Sequence, residues 1–129
     1  MTRYMHGKHS RTIDSVVNRL CDSNTEYSEI IVEEKFYDPN SGRDGECDIH
    51  TRYITPNKKY LLVFEIKSSY SRKNAKKAEY QCSKDVNYYK RLYKCDKAFR
   101  FQVFGHRKDD SIDIEWITNP LVNIKHKSR

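Results

Sequence analysis

Apolar positions along the chain recur with two different periods, and the switches between them divide it into helices and strands. Ile13, Val16, Val17 and Leu20 return every three or four residues, which predicts a helix from His9 to about Asp22 with Ser10 as its cap. Glu29 to Tyr37 reads as a strand, and Asp38 to Gly45, with its Pro, Asn, Ser and Gly, reads as a turn-rich loop. Strands over about Glu46 to Ile54 and Tyr60 to Lys67 follow. The strongest helix runs from Ser71 to about Lys94, where Ala75, Ala78, Cys82, Val86, Tyr89 and Tyr93 form a continuous stripe. Two strands close the chain, Ala98 to Phe104 and Ile112 to Ile117, the second alternating cleanly through Ile-Asp-Ile-Glu-Trp-Ile. The order α-β-β-β-α-β-β predicts one α/β domain over residues 1–129: a mixed central sheet flanked by helices, with its core at about 10–117 and a frayed basic tail at 119–129.

Composition fits that picture. A chain of 129 residues, 36% hydrophobic and 33% charged, supports one solvated domain with a real core. No stretch approaches the roughly 18 apolar residues of a membrane span, and no signal peptide precedes the fold. A protein acting inside the cell, neither secreted nor membrane-bound, is the expectation. Cys21, Cys47, Cys82 and Cys95 have no C-x-x-C spacing, so reduced and mostly buried thiols are expected in place of a zinc or iron–sulfur site. The net charge of +7 is concentrated. From Arg72 to Lys97, nine basic residues stand against Glu79, Asp85 and Asp96. Such a patch suits a polyanion, usually nucleic acid, although a solvated helix face has the same composition.

The chemistry concentrates in Gly45-Glu46-Cys47-Asp48-Ile49 and Phe64-Glu65-Ile66-Lys67-Ser68. Strands alternate faces, so Glu65 and Lys67 share one face while Phe64 and Ile66 point the other way. A hairpin closing between Pro56 and Asn57 would set Asp48 opposite Glu65 and Glu46 opposite Lys67, whereas a three- or four-residue turn would slide the pair by one or two positions and bring Glu65 against Cys47 or Ile49. Two carboxylates across a ladder lie about 5 Å apart and repel unless something offsets the charge. A half-exposed strand can show the same Glu-x-Lys alternation on its solvent face; a divalent cation is the reading that accounts for the facing acids. Magnesium takes a few carboxylates and keeps several waters. Asp48 and Glu65 fit that role, with the Ile66 carbonyl as a neutral ligand. Asp14, on the edge of the first helix's apolar stripe, is either a third ligand or a solvated residue. Lys67 could orient a water or stabilise developing charge, or simply pair with Glu46.

Asp48, a sixteen-residue interval, and Glu65-Ile66-Lys67 in an α-β-β-β-α-β order resemble the PD-(D/E)xK nuclease superfamily. The helix leading to Asn40-Ser41-Gly42-Arg43 looks most like the small archaeal and viral Holliday-junction resolvases. The resemblance implies a restriction-endonuclease-like core and Mg²⁺-dependent cleavage of branched DNA, with Mn²⁺ able to substitute. By it, Asp48 and Glu65 bind metal, Lys67 is the catalytic lysine, Asp14 takes the place of the helix-one acid, and Ser41 and Gln81 belong to the site. Lys73, Lys76, Lys77, Lys84, Arg91 and Arg43 would contact the DNA backbone, and the protein would be a homodimer. The chain departs from the pattern in having Glu46-Cys47 where a proline usually precedes the aspartate, and Asp for Glu on helix one. Other nucleases on this scaffold, whether single-strand exonucleases or RNA endonucleases, and a non-catalytic nucleic-acid-binding protein are the alternative readings.

Overall fold

The computed structural model describes residues 7–106 and 112–116. Its elements are α1 (Lys8–Asp22), β1 (Ile31–Asp38), β2 (Arg43–Ile54), β3 (Lys59–Lys67), α2 (Arg72–Tyr93), β4 (Lys97–Gly105) and β5 (Ile112–Trp116). The strands form one mixed sheet in the order β1-β2-β3-β4-β5. All neighbours are antiparallel except β3 and β4, which α2 connects as the crossover that a parallel pair requires. The expected α/β class, its element order and its mixed sheet are therefore present. The expected strand end at Ile117 and the basic tail 119–129 lie outside the described residues.

Both faces of the sheet are covered. Ile13, Val16 and Leu20 of α1 pack with Ile49, Leu62, Phe64, Ile66, Phe101 and Val103. Cys82 and Tyr89 of α2 pack with Phe36, Cys47, Leu61 and Val63. Successive β3 residues thus enter different cores, and every residue from Leu61 to Ile66 is buried. Each fully buried Leu, Ile or Phe side chain contributes roughly 1.5–3 kcal/mol, which offsets the cost of the acid in the same run.

Local chemistry sets most boundaries. Ser71 caps α2, its Oγ accepting the Asn74 N–H at 3.0 Å, and Lys94 ends the helix in the left-handed region at φ 55°. The α1 cap differs from expectation. The helix begins at Lys8 after Gly7, with no side-chain cap, and Ser10 lies buried within its first turn. The loop before β2 is also shorter than its composition suggests. The chain turns within Asp38–Arg43, where Gly42 (φ 69°) donates its N–H to the Asp38 carbonyl at 2.8 Å, and β2 starts at Arg43. Gly45 is consequently a strand residue paired with Phe36, not part of the turn. A Cβ there would lie 2.2 Å from the Phe36 ring, so the ring packs over Gly45 only because no side chain is present.

Candidate metal centre

The β2–β3 hairpin has the expected register, running from Ile54↔Lys59 at its turn to Ile49↔Phe64. One step further would pair Asp48 with Glu65, and there the ladder gives way to side chains. The Ile66 N–H donates to Asp48 Oδ2 at 2.8 Å, and the Asp48 N–H donates weakly to Glu65 Oε2 at 3.4 Å. On the other edge, β1–β2 pairing skips from Val32↔Ile49 to Glu34↔Cys47. The omitted residue, Glu33, has φ 51°. Left-handed backbone costs a non-glycine residue roughly 1–2 kcal/mol. Within the continuous strand β2, Asp48 therefore has no ladder partner on either side. The period-two pattern fails there as well, since Cys47 belongs to the α2-side core and Ile49 to the α1-side core.

Glu65 lies beneath α2, only 1% exposed. Its neighbour there is Asp85, which is fully buried and whose two carboxyl oxygens meet no conventional donor. Two carboxyls in contact can bond only if one keeps a proton. Burial pushes the Glu65 carboxyl strongly up, with Asp85 and Asp48 adding to the effect, and burial likewise raises Asp85. Among the described residues, Cys47, Glu65 and Asp85 form the group whose potential ligand atoms all lie within 4.8 Å of one another. The four thiols are otherwise free, with Cys47, Cys82 and Cys95 buried and Cys21 exposed.

Lys67 turns its ammonium to Gln81 Oε1 at 2.7 Å, joining the two on the α2 side of the sheet. The α1 contribution comes from His9, whose Nε2 donates to the Ile66 carbonyl at 3.1 Å and lies 3.5 Å from Asp48 Oδ2. The bond and charge of Asp48 raise the His9 pKa against the opposing effect of burial, with Ile66 and Glu33 adding. Asp14 is exposed and outside this group. His9 continues the Ile13, Val16 and Leu20 stripe one turn backwards, whereas Asp14 is a single residue past Ile13 and so faces away from it. The same logic reveals Asp85, which falls between Cys82 and Tyr89 on the buried face of α2.

The remaining predicted residues lie along the outer side of α2 and the β1–β2 turn. Lys73, Lys76 and Lys77 are exposed. Lys84 donates to the Asp44 carbonyl at 3.3 Å, and its ammonium lies 5.7 Å from the Tyr80 ring centre. Arg43 donates to the Tyr80 hydroxyl at 3.3 Å. Arg43, Tyr80 and Lys84, with Asp38, Ser41, Ser83 and Asn87, line an open groove of about 400 Å³. Ser41 makes only a long bond, 3.5 Å, to the Asp38 carbonyl, and belongs to this groove rather than to the carboxylate cluster. Arg91 is committed to a 2.7 Å ion pair with buried Asp38. Since Asp85 is buried, the exposed face of α2 is more basic than its residue count suggests.

No protein-family model matches the chain, and no curated protein matches it. Among the described residues no helix is long and apolar enough to cross a membrane.

The residues around the gap fit a divalent cation. Asp48, Glu65 and the Ile66 carbonyl are hard oxygen donors, and Asp85 presents buried oxygens that meet no conventional donor. Buried acids in this number need a cation, protons or both.

Proposed function

We propose that the chain is a divalent-cation-dependent nuclease that hydrolyses phosphodiester bonds in DNA, with branched DNA as its substrate, on a restriction-endonuclease-like core. The observation that carries this reading is the broken ladder at Asp48. Backbone pairing is lost on both sides of one residue, two carboxylates converge in the gap, and Lys67 emerges on the Glu65 face. A sheet that gives up pairing and accepts left-handed backbone at Glu33 has a site to maintain.

Asp48, Glu65 and the Ile66 carbonyl would hold Mg²⁺, or Mn²⁺ in its place, with His9 beside them as a hydrogen-bond donor to the Ile66 carbonyl. A bound cation relieves charge on the phosphate and makes a coordinated water more acidic. Lys67, oriented by Gln81, is poised to stabilise negative charge developing on a phosphate oxygen. Lys73, Lys76, Lys77 and Lys84, with Arg43, supply cations for the phosphate backbone on the outer face of α2. Such contacts give salt-sensitive affinity without sequence information. Exposed Tyr80 adds a ring on which an unpaired base can stack. Two chains in a symmetric dimer would present two sites to the two strands of a branch.

The test is incubation of the full chain with a labelled four-way junction, set beside duplex and single-stranded controls, with and without Mg²⁺. Paired nicks at the branch, abolished by Glu65→Gln, are expected. Laddering from an end would replace the branch specificity with exonuclease action. Binding without cleavage in either Mg²⁺ or Mn²⁺ would overturn the nuclease reading in favour of a binding protein.

A further inference from the structure

We infer that Cys47, Glu65 and Asp85 form a second cation site, for a thiophilic divalent ion of the Zn²⁺ class, that ties α2 to β2 and β3. The three residues come from three elements: Cys47 from β2, Glu65 from β3 and Asp85 from α2. Their sulfur and oxygen atoms all lie within 4.8 Å of one another. Two bonds from one zinc, at about 2.0–2.3 Å each, span nearly that distance. Cys47 and Asp85 are fully buried and Glu65 is 1% exposed, so the site is closed as a structural site would be.

Two observations separate this cluster from an incidental group of acids. Neither Asp85 oxygen meets a donor other than a proton shared with Glu65 or the Cys47 thiol, although the side chain is completely buried and directed at both. Native proteins rarely leave such oxygens unsatisfied. The break at Asp48 also turns Cys47 to the α2 side, where unbroken alternation from Ile49 would have turned it away. The irregularity that opens the proposed nuclease centre thus delivers a thiol to the two acids.

The donor set decides the ion. A thiolate is a soft ligand that favours zinc or cobalt over magnesium, whereas the Asp48 and Ile66 side of Glu65 offers oxygen ligands alone. Binding releases the Cys47 thiol proton, and any proton held between the carboxyls, to solvent. Because the ligands lie under α2, the ion enters during folding or on local opening and then resists chelation. Glu65 is common to both centres, but the second site does not depend on the nuclease reading.

The test uses the full chain, stripped by refolding in chelator and titrated with Co²⁺ alone as a spectroscopic stand-in for Zn²⁺. Wild type should develop a sulfur-to-cobalt charge-transfer band in the near ultraviolet. Cys47→Ser should lose the band, while Cys82→Ser and Asp48→Asn should keep it. Asp85→Asn, close in size and shape, should weaken Co²⁺ binding at least tenfold. In the same protein Zn²⁺ should raise the melting temperature of wild type and leave that of Cys47→Ser unchanged. A wild-type titration without the band, or a band of full intensity in Cys47→Ser, overturns the site. A chain that shows the band and cuts nothing refutes the nuclease reading alone. A chain that cuts with Mg²⁺ and shows no band refutes the second site alone.

Discussion

Asp85→Asn should stabilise the metal-free protein and destabilise its zinc-loaded form relative to wild type. In the absence of a cation, Asp85 sets two acceptor oxygens against Glu65 with only a proton shared between the carboxyls to satisfy them, in a place water does not reach. An unsatisfied buried polar group costs about 1–3 kcal/mol. Asparagine keeps the shape, removes the charge and offers an N–H to Glu65, so a gain of about 1–3 kcal/mol is expected. For a domain of this size that corresponds to a rise of roughly 4–11 °C in melting temperature. The pH dependence follows from the direction of the shifts. Both carboxyls titrate higher in the folded state than in the unfolded chain. Their stabilising effect is therefore complete at pH below their ordinary values of 4.5 and 3.8, and is lost as pH rises through the folded values. Wild type in chelator should lose stability from about pH 4 upward, and Asp85→Asn should lose less, so the variants diverge towards neutral pH. Thermal unfolding in EDTA from pH 4 to 8 reads this directly. Asp85→Asn melting below wild type at pH 7 in EDTA, or curves that stay parallel across the range, would refute the reasoning. With Zn²⁺ present the order should reverse, because the variant gives up a ligand.

Gln81→Ala removes the 2.7 Å acceptor of Lys67 and should lower kcat roughly tenfold while leaving junction affinity within about twofold, as measured by single-turnover cleavage and by equilibrium binding. Gly45→Ala drives a methyl into the Phe36 ring and should cost about 1–3 kcal/mol in urea unfolding. Replacing Lys73 or Lys77 with Ala should weaken binding to junction and duplex alike, and reduce the slope of log affinity against log salt by about one per residue.

Much of this arrangement is legible in the chain itself. Period two along Tyr60 to Lys67 places Glu65 and Lys67 on one face, and the position of the Pro56-Asn57 turn gives the register that brings Asp48 beside Glu65. Those features are local, depending on alternation and on one short connection. The break in the ladder at Asp48 is different. It arises from bonds between Asp48 and backbone one strand away, and from left-handed backbone at Glu33 on the strand beyond, which no periodicity within β2 encodes. With the break go the orientation of Cys47 and the role of Gly45, which looks like a turn residue but makes room for Phe36. His9 and Asp85 lie between these cases. Both occupy helical positions that continue an apolar stripe, at i−4 from Ile13 and i+3 from Cys82, so the spacing marks them as inward-facing polar residues. A titratable side chain on the apolar face of a helix is a better indicator of a site than an acid at its edge, such as Asp14.

Crystals of the full chain soaked in Mn²⁺ provide the most direct measurement, because manganese scatters anomalously and can replace magnesium. The predicted result is an anomalous peak in the gap where the β2–β3 ladder ends, within bonding distance of Asp48, Glu65 and the Ile66 carbonyl, and absent from Asp48→Asn crystals. Saturating Mn²⁺ that leaves this gap without a peak, in crystals where both carboxyls are accessible to the soak, would contradict the assignment of a catalytic cation site to these residues.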